Sequence, residues 1–185
     1  MENILFINSC IRKNESRTLA LAKALLDKLE GEIKEVDLTS ENIAPLTAET
    51  LALRNELTEK GDLSHPMLKY ASDFAAADTI VIGTPFWDLA FPAVLKQYLE
   101  QICACGITFR YNDHGIPQGM CKAKKVYYVT TAGGFLEGMN FGFDYIKALC
   151  NLYFGIKDVE CIAAEGLDIW GNDAEKILED RINSL

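Results

Sequence analysis

The chain has 185 residues, 49% hydrophobic and 24% charged, a globular composition that accommodates one domain with a substantial core. A formal net charge of -9 and a pI of about 4.7 argue against nonspecific nucleic-acid binding, which needs clustered Lys and Arg to neutralise phosphates. No stretch approaches the roughly 18 apolar residues of a membrane span and no targeting segment is visible, so a soluble cytoplasmic protein with no membrane partner is expected.

In chain order, an apolar run at residues 4–7 reads as a buried strand. It ends in a polar loop, residues 8–18, and a helical pattern then runs from Ser16 to about residue 29, with Leu19, Ala22, Leu26 and Leu29 on one face. A second short strand is expected at 33–38. Residues 40–66 hold a helical pattern around 47–59 but no strand, and read as a helical excursion. A helix at 67–77 leads into a third strand at 79–84. Pro92 in a first turn and Gly106 as a stop bracket a helix at 92–104. Residues 107–121 carry the turn signal Asn112-Asp113-His114-Gly115 and read as a short extended excursion. Strands at 126–131 and 159–163 alternate with helices at 141–154 and 173–183.

Five strands alternating with helices imply one α/β domain over residues 1–185, a doubly wound parallel sheet with helices on both faces. Such sheets bind ligands beyond the carboxyl ends of their strands. The loops after the first, third and fourth strands are therefore the candidate site.

The first loop gathers Ser9, Arg12, Lys13, Ser16, Arg17 and Thr18 at a helix start. Unsatisfied N–H groups and the helix dipole make that place suitable for a phosphate. The loop contains no glycine, so it is neither a dinucleotide fingerprint nor a Walker A loop. It reads equally well as a plain helix start capped by Ser16 with surface cations nearby. The second loop is Thr84-Pro85-Phe86-Trp87-Asp88-Leu89-Ala90-Phe91-Pro92. Its aromatics suit a flat ring, or else pack on the following helix. The third, Thr131-Ala132-Gly133-Gly134-Phe135, offers backbone N–H donors to a ring that gains negative charge, or else is a tight turn. Together the three describe a phosphate beside a planar heterocycle, a description that flavin mononucleotide (FMN) fits.

The chain resembles the flavodoxin-like NAD(P)H-dependent oxidoreductases, specifically the FMN-dependent NADH-azoreductase and quinone reductase group. The resemblance rests on the loop from Ser9 through Ser16-Arg17-Thr18, Thr84-Pro85-Phe86-Trp87-Asp88 and Leu95-Lys96-Gln97-Tyr98. It continues through Gly106-Ile107-Thr108-Phe109-Arg110-Tyr111, Thr131-Ala132-Gly133-Gly134 and Ala164-Glu165-Gly166. It implies a flavodoxin-like sheet of strand order 2-1-3-4-5. It implies that Ser9, Ser16, Arg17 and Thr18, with Arg12 added here, hold the phosphate. The isoalloxazine would lie between Pro85, Phe86, Trp87, Asp88 and Leu89 on one side and Thr131, Ala132, Gly133 and Gly134 on the other. Tyr111, Trp87 and Phe135 become the substrate-pocket candidates. The resemblance further implies a homodimer and ping-pong hydride transfer from NADH or NADPH, through flavin N5, to quinone, azo or nitroaromatic acceptors. No protein side chain is required as a catalyst, and no metal is expected. Asp88 departs from the pattern, standing where azoreductases commonly carry Asn, and Ala132 leaves no side chain to contact the ring.

Two alternatives stand beside this reading: a flavodoxin-type one-electron carrier, which the acidic pI suits, and a non-enzymatic flavin-binding regulator. The six cysteines sit mostly in apolar segments and read as buried reduced thiols. His65 before Pro66 reads as a helix-entry residue, and His114 as a turn residue.

Overall fold

The apolar runs become strands in a computed structural model that describes residues 1–185. The strands are β1 (Asn3–Asn8), β2 (Glu32–Asp37), β3 (Thr79–Gly83), β4 (Phe109–Tyr111), β5 (Pro117–Gly119), β6 (Lys125–Thr131) and β7 (Asp158–Ala164). The helices are α1 (Arg17–Leu26), α2 (Ala48–Lys60), α3 (Lys69–Ala76), α4 (Ala93–Ile102), α5 (Phe141–Leu149) and α6 (Ala174–Asn183). Five strands form one parallel sheet in the order β2-β1-β3-β6-β7, which is 2-1-3-4-5 when only sheet strands are counted, as expected.

Side chains alternate across this sheet and feed two cores. Leu5, Ile7, Ile80, Ile82, Val126 and Tyr128 pack under α3, α4 and α5, against Phe74, Leu95, Tyr98, Leu99 and Ile146. Ile4, Phe6, Val81, Val129 and Ile162 face the opposite way onto Leu21, Ala22 and Leu25 of α1, with Ile177 and Leu178 of α6 packed alongside. The edge strand β2 keeps Glu32, Lys34 and Glu35 in solvent. The opposite edge, β7, exposes Asp158 and Glu160, and Lys125 Nζ meets Glu160 at 2.8 Å. No helix is long and apolar enough to cross a membrane.

The two excursions are ordered additions. α2 begins at a capping box on Thr47, ends at Gly61 with φ 70, and inserts Leu57 against Leu68, Ala71, Ala104 and Ile107. β4 and β5 form an antiparallel hairpin. It docks where α5 continues into a π-helical turn, Cys150–Phe154, and any Cβ on Gly119 would collide with the Phe154 backbone.

Several boundaries differ from the sequence reading. α1 stops at Leu26 rather than 29, because Lys28 and Leu29 donate to carbonyls three residues back and tighten the chain into turns. Pro92 is the N-cap of α4 and not its first turn. α4 ends at Ile102, short of 104, because the Thr108 hydroxyl donates to Ile102 O at 2.6 Å and takes the Ala104 N–H at 3.3 Å. His65 does sit at a helix entry, its Nδ1 accepting from Met67 N at 3.2 Å.

Candidate cofactor-binding site

The carboxyl ends of β1, β3, β6 and β7 meet at the amino end of α1. A one-turn 3-10 segment, Lys13–Glu15, brings the chain into the helix, with Lys13 at φ 50. Ser16 is the N-cap, its Oγ accepting from Leu19 N at 3.2 Å. That leaves the N–H groups of Arg17 and Thr18 with no protein acceptor. The helix-cap reading and the anion-site reading are therefore compatible, since the cap takes Leu19 N and leaves Arg17 N and Thr18 N free. Ser9 is fully buried and donates its hydroxyl to Gly83 O at 3.3 Å. Beneath the loop, burial pushes the Cys10 thiol up to about 11, a shift that the neighbouring Ser16 hydroxyl partly opposes.

After β3 the chain makes a two-residue turn. Trp87 N donates to Ala90 O at 3.3 Å and Ala90 N to Trp87 O at 2.7 Å, with Asp88 at φ 50 and Leu89 at φ 65 between them. Two successive positive φ values form the type I′ pattern that ordinarily selects Asn-Gly. Asp tolerates it, whereas Leu does so under strain. Phe86 N reaches across to Thr131 O at 3.1 Å and ties this loop to β6.

After β6, the Thr131 hydroxyl bonds to the Thr18 hydroxyl at 2.6 Å in a buried contact that locks the sheet end onto α1. The next residues zip to the loop after β7. Leu167 N donates to Ala132 O at 3.2 Å, Asp168 N to Gly133 O at 2.9 Å, and Gly166 N to Gly134 O at 2.9 Å. Glu165 accepts from Leu136 N at 2.9 Å. The carbonyls are thus used inward, and the N–H groups of Gly133, Gly134 and Phe135 have no protein acceptor. Glycine at 133 lets the Asp168 carboxylate lie against the backbone, and a Cβ there would push that exposed side chain aside.

These loops enclose a cleft of about 120 Å³. It is lined by Arg12, Ser16, Arg17 and Thr18 from the first loop, Pro85, Phe86 and Trp87 from the second, and Thr131 and Gly133 from the third. Arg12 lines the cleft without an ion pair, whereas Arg17 Nη2 holds Asp168 Oδ1 at 2.8 Å and Arg17 Nη1 donates to Leu167 O at 3.3 Å. The other candidates lie around this cleft. Asp88 and Leu89 form the exposed tip of their turn, Ala132 is buried behind the wall, and Gly134 and Phe135 are exposed beyond it, Phe135 packing on Gly166. Tyr111 lines a separate cleft of about 450 Å³ with Cys105, Gly106 and Arg110. His114 lies exposed in the hairpin turn.

Glu15 and Asp168 also line the cleft and were absent from the sequence-based set. The rule that pointed to the first three loops applies equally to the loop after β7, so the position of Asp168 after a strand end was the available clue. The donor set fits an FMN molecule. Free helix-start N–H groups, the Ser16 hydroxyl and Arg12 suit a phosphate at one end. The free N–H of Gly133 in the cleft, continued by those of Gly134 and Phe135 beyond it, and half-exposed Trp87 suit an acceptor-bearing ring at the other.

A family model described as "Flavodoxin-like fold" matches residues 2–185. The chain is 38% identical to FMN-dependent NADH:quinone oxidoreductase 2 of Clostridium acetobutylicum, covering 98% of this chain and 95% of that protein. It is 36% identical to the FMN-dependent NADH:quinone oxidoreductase of Coprothermobacter proteolyticus, covering 97% and 94%. Among solved structures, an azoreductase from Bacillus anthracis superposes with a TM-score of 0.83 at 23% identity, covering 100% of this chain and 96% of that one. A B. anthracis FMN-dependent NADH-azoreductase in complex with FMN gives 0.83 at 21% identity, with 100% and 95% coverage.

Proposed function

Because the chain belongs to the flavodoxin-like family of FMN-dependent NADH:quinone oxidoreductases, we propose that it binds FMN in this cleft and passes reducing equivalents from NADH or NADPH to quinone, azo or nitroaromatic acceptors by a ping-pong cycle. When bound, the cofactor supplies hydride chemistry at N5. The protein's share is binding, orientation and charge. Arg17 N–H, Thr18 N–H, the Ser16 hydroxyl and Arg12 take the phosphate. Trp87 and Phe86 flank the ring, and the N–H groups of Gly133, Gly134 and Phe135 favour electron density on the ring edge they face.

The observation that carries this reading is the set of N–H donors left uncommitted at two strand-end loops that share one cleft. The test is the visible spectrum of the purified protein, supplemented with FMN and then titrated with NADH or NADPH without air. A yellow protein that bleaches within the mixing time supports the enzyme. A blue one-electron form on slow reduction, with no nicotinamide oxidation, replaces it with a carrier. A protein that takes up no FMN removes both.

A homodimer is part of the same proposal. Leu89, Phe141 and Tyr145 are apolar and exposed together beside the Asp88 turn, with Phe141 N bonded to Leu89 O at 3.1 Å. Sedimentation at micromolar concentration checks it. Six unpaired thiols suit a reducing compartment such as the cytoplasm.

A further inference from the structure

The FMN reading leaves two carboxylates in the cleft unexplained, both of the wrong charge for a phosphate site, and one of them holds a cleft cation. Asp168 arrives from the loop after β7, and its carboxylate lies against the face of Gly133 that a Cβ would otherwise fill. It holds the Arg17 guanidinium, the cation at the start of α1, at 2.8 Å. The cleft is lined by two cations, Arg12 and Arg17, and two carboxylates, Glu15 and Asp168. In this arrangement its side chains bring no surplus positive charge to a dianionic ligand. A phosphate monoester placed at the free N–H groups of Arg17 and Thr18 would compete with Asp168 for the same guanidinium and be repelled by it.

We infer that Asp168 is an internal substitute for the phosphate. It satisfies Arg17 while the phosphate is away and must give Arg17 up when the phosphate enters. The inference rests on the FMN reading of the cleft. Both partners are accessible enough for such an exchange, with side-chain exposures of 32% for Arg17 and 64% for Asp168. An exposed pair of this kind is weak, so the exchange is reversible on binding. Its consequence is selective: Asp168 lowers affinity for the phosphorylated flavin and leaves riboflavin, the same ring without the phosphate, untouched.

The test is a fluorescence-quenching titration of FMN and of riboflavin into the full-length protein stripped of flavin, for wild type and Asp168→Asn. Asn keeps the size and removes the charge. The expected result is an FMN Kd about three- to tenfold lower in Asp168→Asn, with the riboflavin Kd unchanged. In an Arg17→Gln background the same substitution should gain less than in wild type, because the contested cation is gone and only the direct repulsion of the phosphate is relieved. An FMN affinity that is unchanged or weaker in Asp168→Asn overturns the inference, as does an equal gain for riboflavin or in the Arg17→Gln background. Asp168→Ser repeats the measurement with a second neutral side chain should Asn perturb the loop. Failure of both wild type and Asp168→Asn to bind FMN at all overturns the FMN reading itself, which is a different outcome from binding by both with equal affinity.

Discussion

At the α1 end of the cleft, walls from distant parts of the chain are tied to one another: Thr18 to Thr131, Phe86 to Thr131, Arg17 to Asp168, and Gly133 and Gly134 to the loop after β7. At the Trp87 end, the turn closes on itself and sits on a single outside bond, from Phe141 N to Leu89 O. The first region is cross-braced and polar, with a buried Thr18–Thr131 contact beneath an exposed Arg17–Asp168 pair, and the second is exposed, aromatic and locally strained. On the proposed reading of the cleft, the difference matches what each end would recognise. A phosphate is small and directional, so the backbone N–H donors at the start of α1 need fixed positions before it arrives, whereas the Arg17 side chain is exchanged on binding. A flat ring and exchangeable acceptors need a surface, and a surface tolerates movement.

The largest effect on this contrast should come from Thr131→Val. It leaves the buried Thr18 hydroxyl without its partner, at a cost of about 2 kcal/mol, and should lower the Tm of the flavin-free protein by roughly 4–8 °C. The double variant Thr18→Val with Thr131→Val should recover part of that loss. A Tm unmoved by the single change would mean that the bracing is not structural. Next comes Asp88→Asn. The carboxylate stands at the exposed tip of the turn beside Trp87, and on the proposed reading it would disfavour added negative charge on the ring. Its removal should raise the two-electron midpoint potential of bound FMN by roughly 10–30 mV, on the scale where 30 mV is tenfold. A potentiometric titration reads this directly, and an unmoved or lowered potential removes Asp88 from the ring's surroundings. The smallest is Leu89→Gly. Relief of the positive φ outweighs the added chain entropy by only about 0.5 kcal/mol, so urea denaturation should show a slightly more stable protein. A loss of stability would show that the Leu89 side chain is anchored and that the turn is not strained.

The same contrast marks what could be read from the sequence. Strand runs and the helix start at Ser16 were legible because they rest on local periodicity and capping chemistry, and the strand order came from the family resemblance. The direction of a hydroxyl was not. Ser9 and Ser16 look alike in the loop, yet one faces Gly83 O inside the fold and the other caps a helix. Nor was the Asp168 contact with Arg17 legible, since 151 positions separate the pair and no local pattern encodes the pairing. The turn at Asp88 and Leu89 carries no glycine or asparagine to announce it. The hairpin was visible only as extended chain around a turn signal, because its docking depends on the close approach of Gly119 to Phe154.

The charged margins of the sheet bear on how the chain behaves in company. β2 presents Glu32, Lys34 and Glu35, and β7 presents Asp158 and Glu160, so each open row of backbone groups is guarded by ionised side chains that resist desolvation. A foreign strand cannot extend the sheet at either border without stripping water from those charges. In a crowded cell, that guards a newly made copy against polymerising edge to edge.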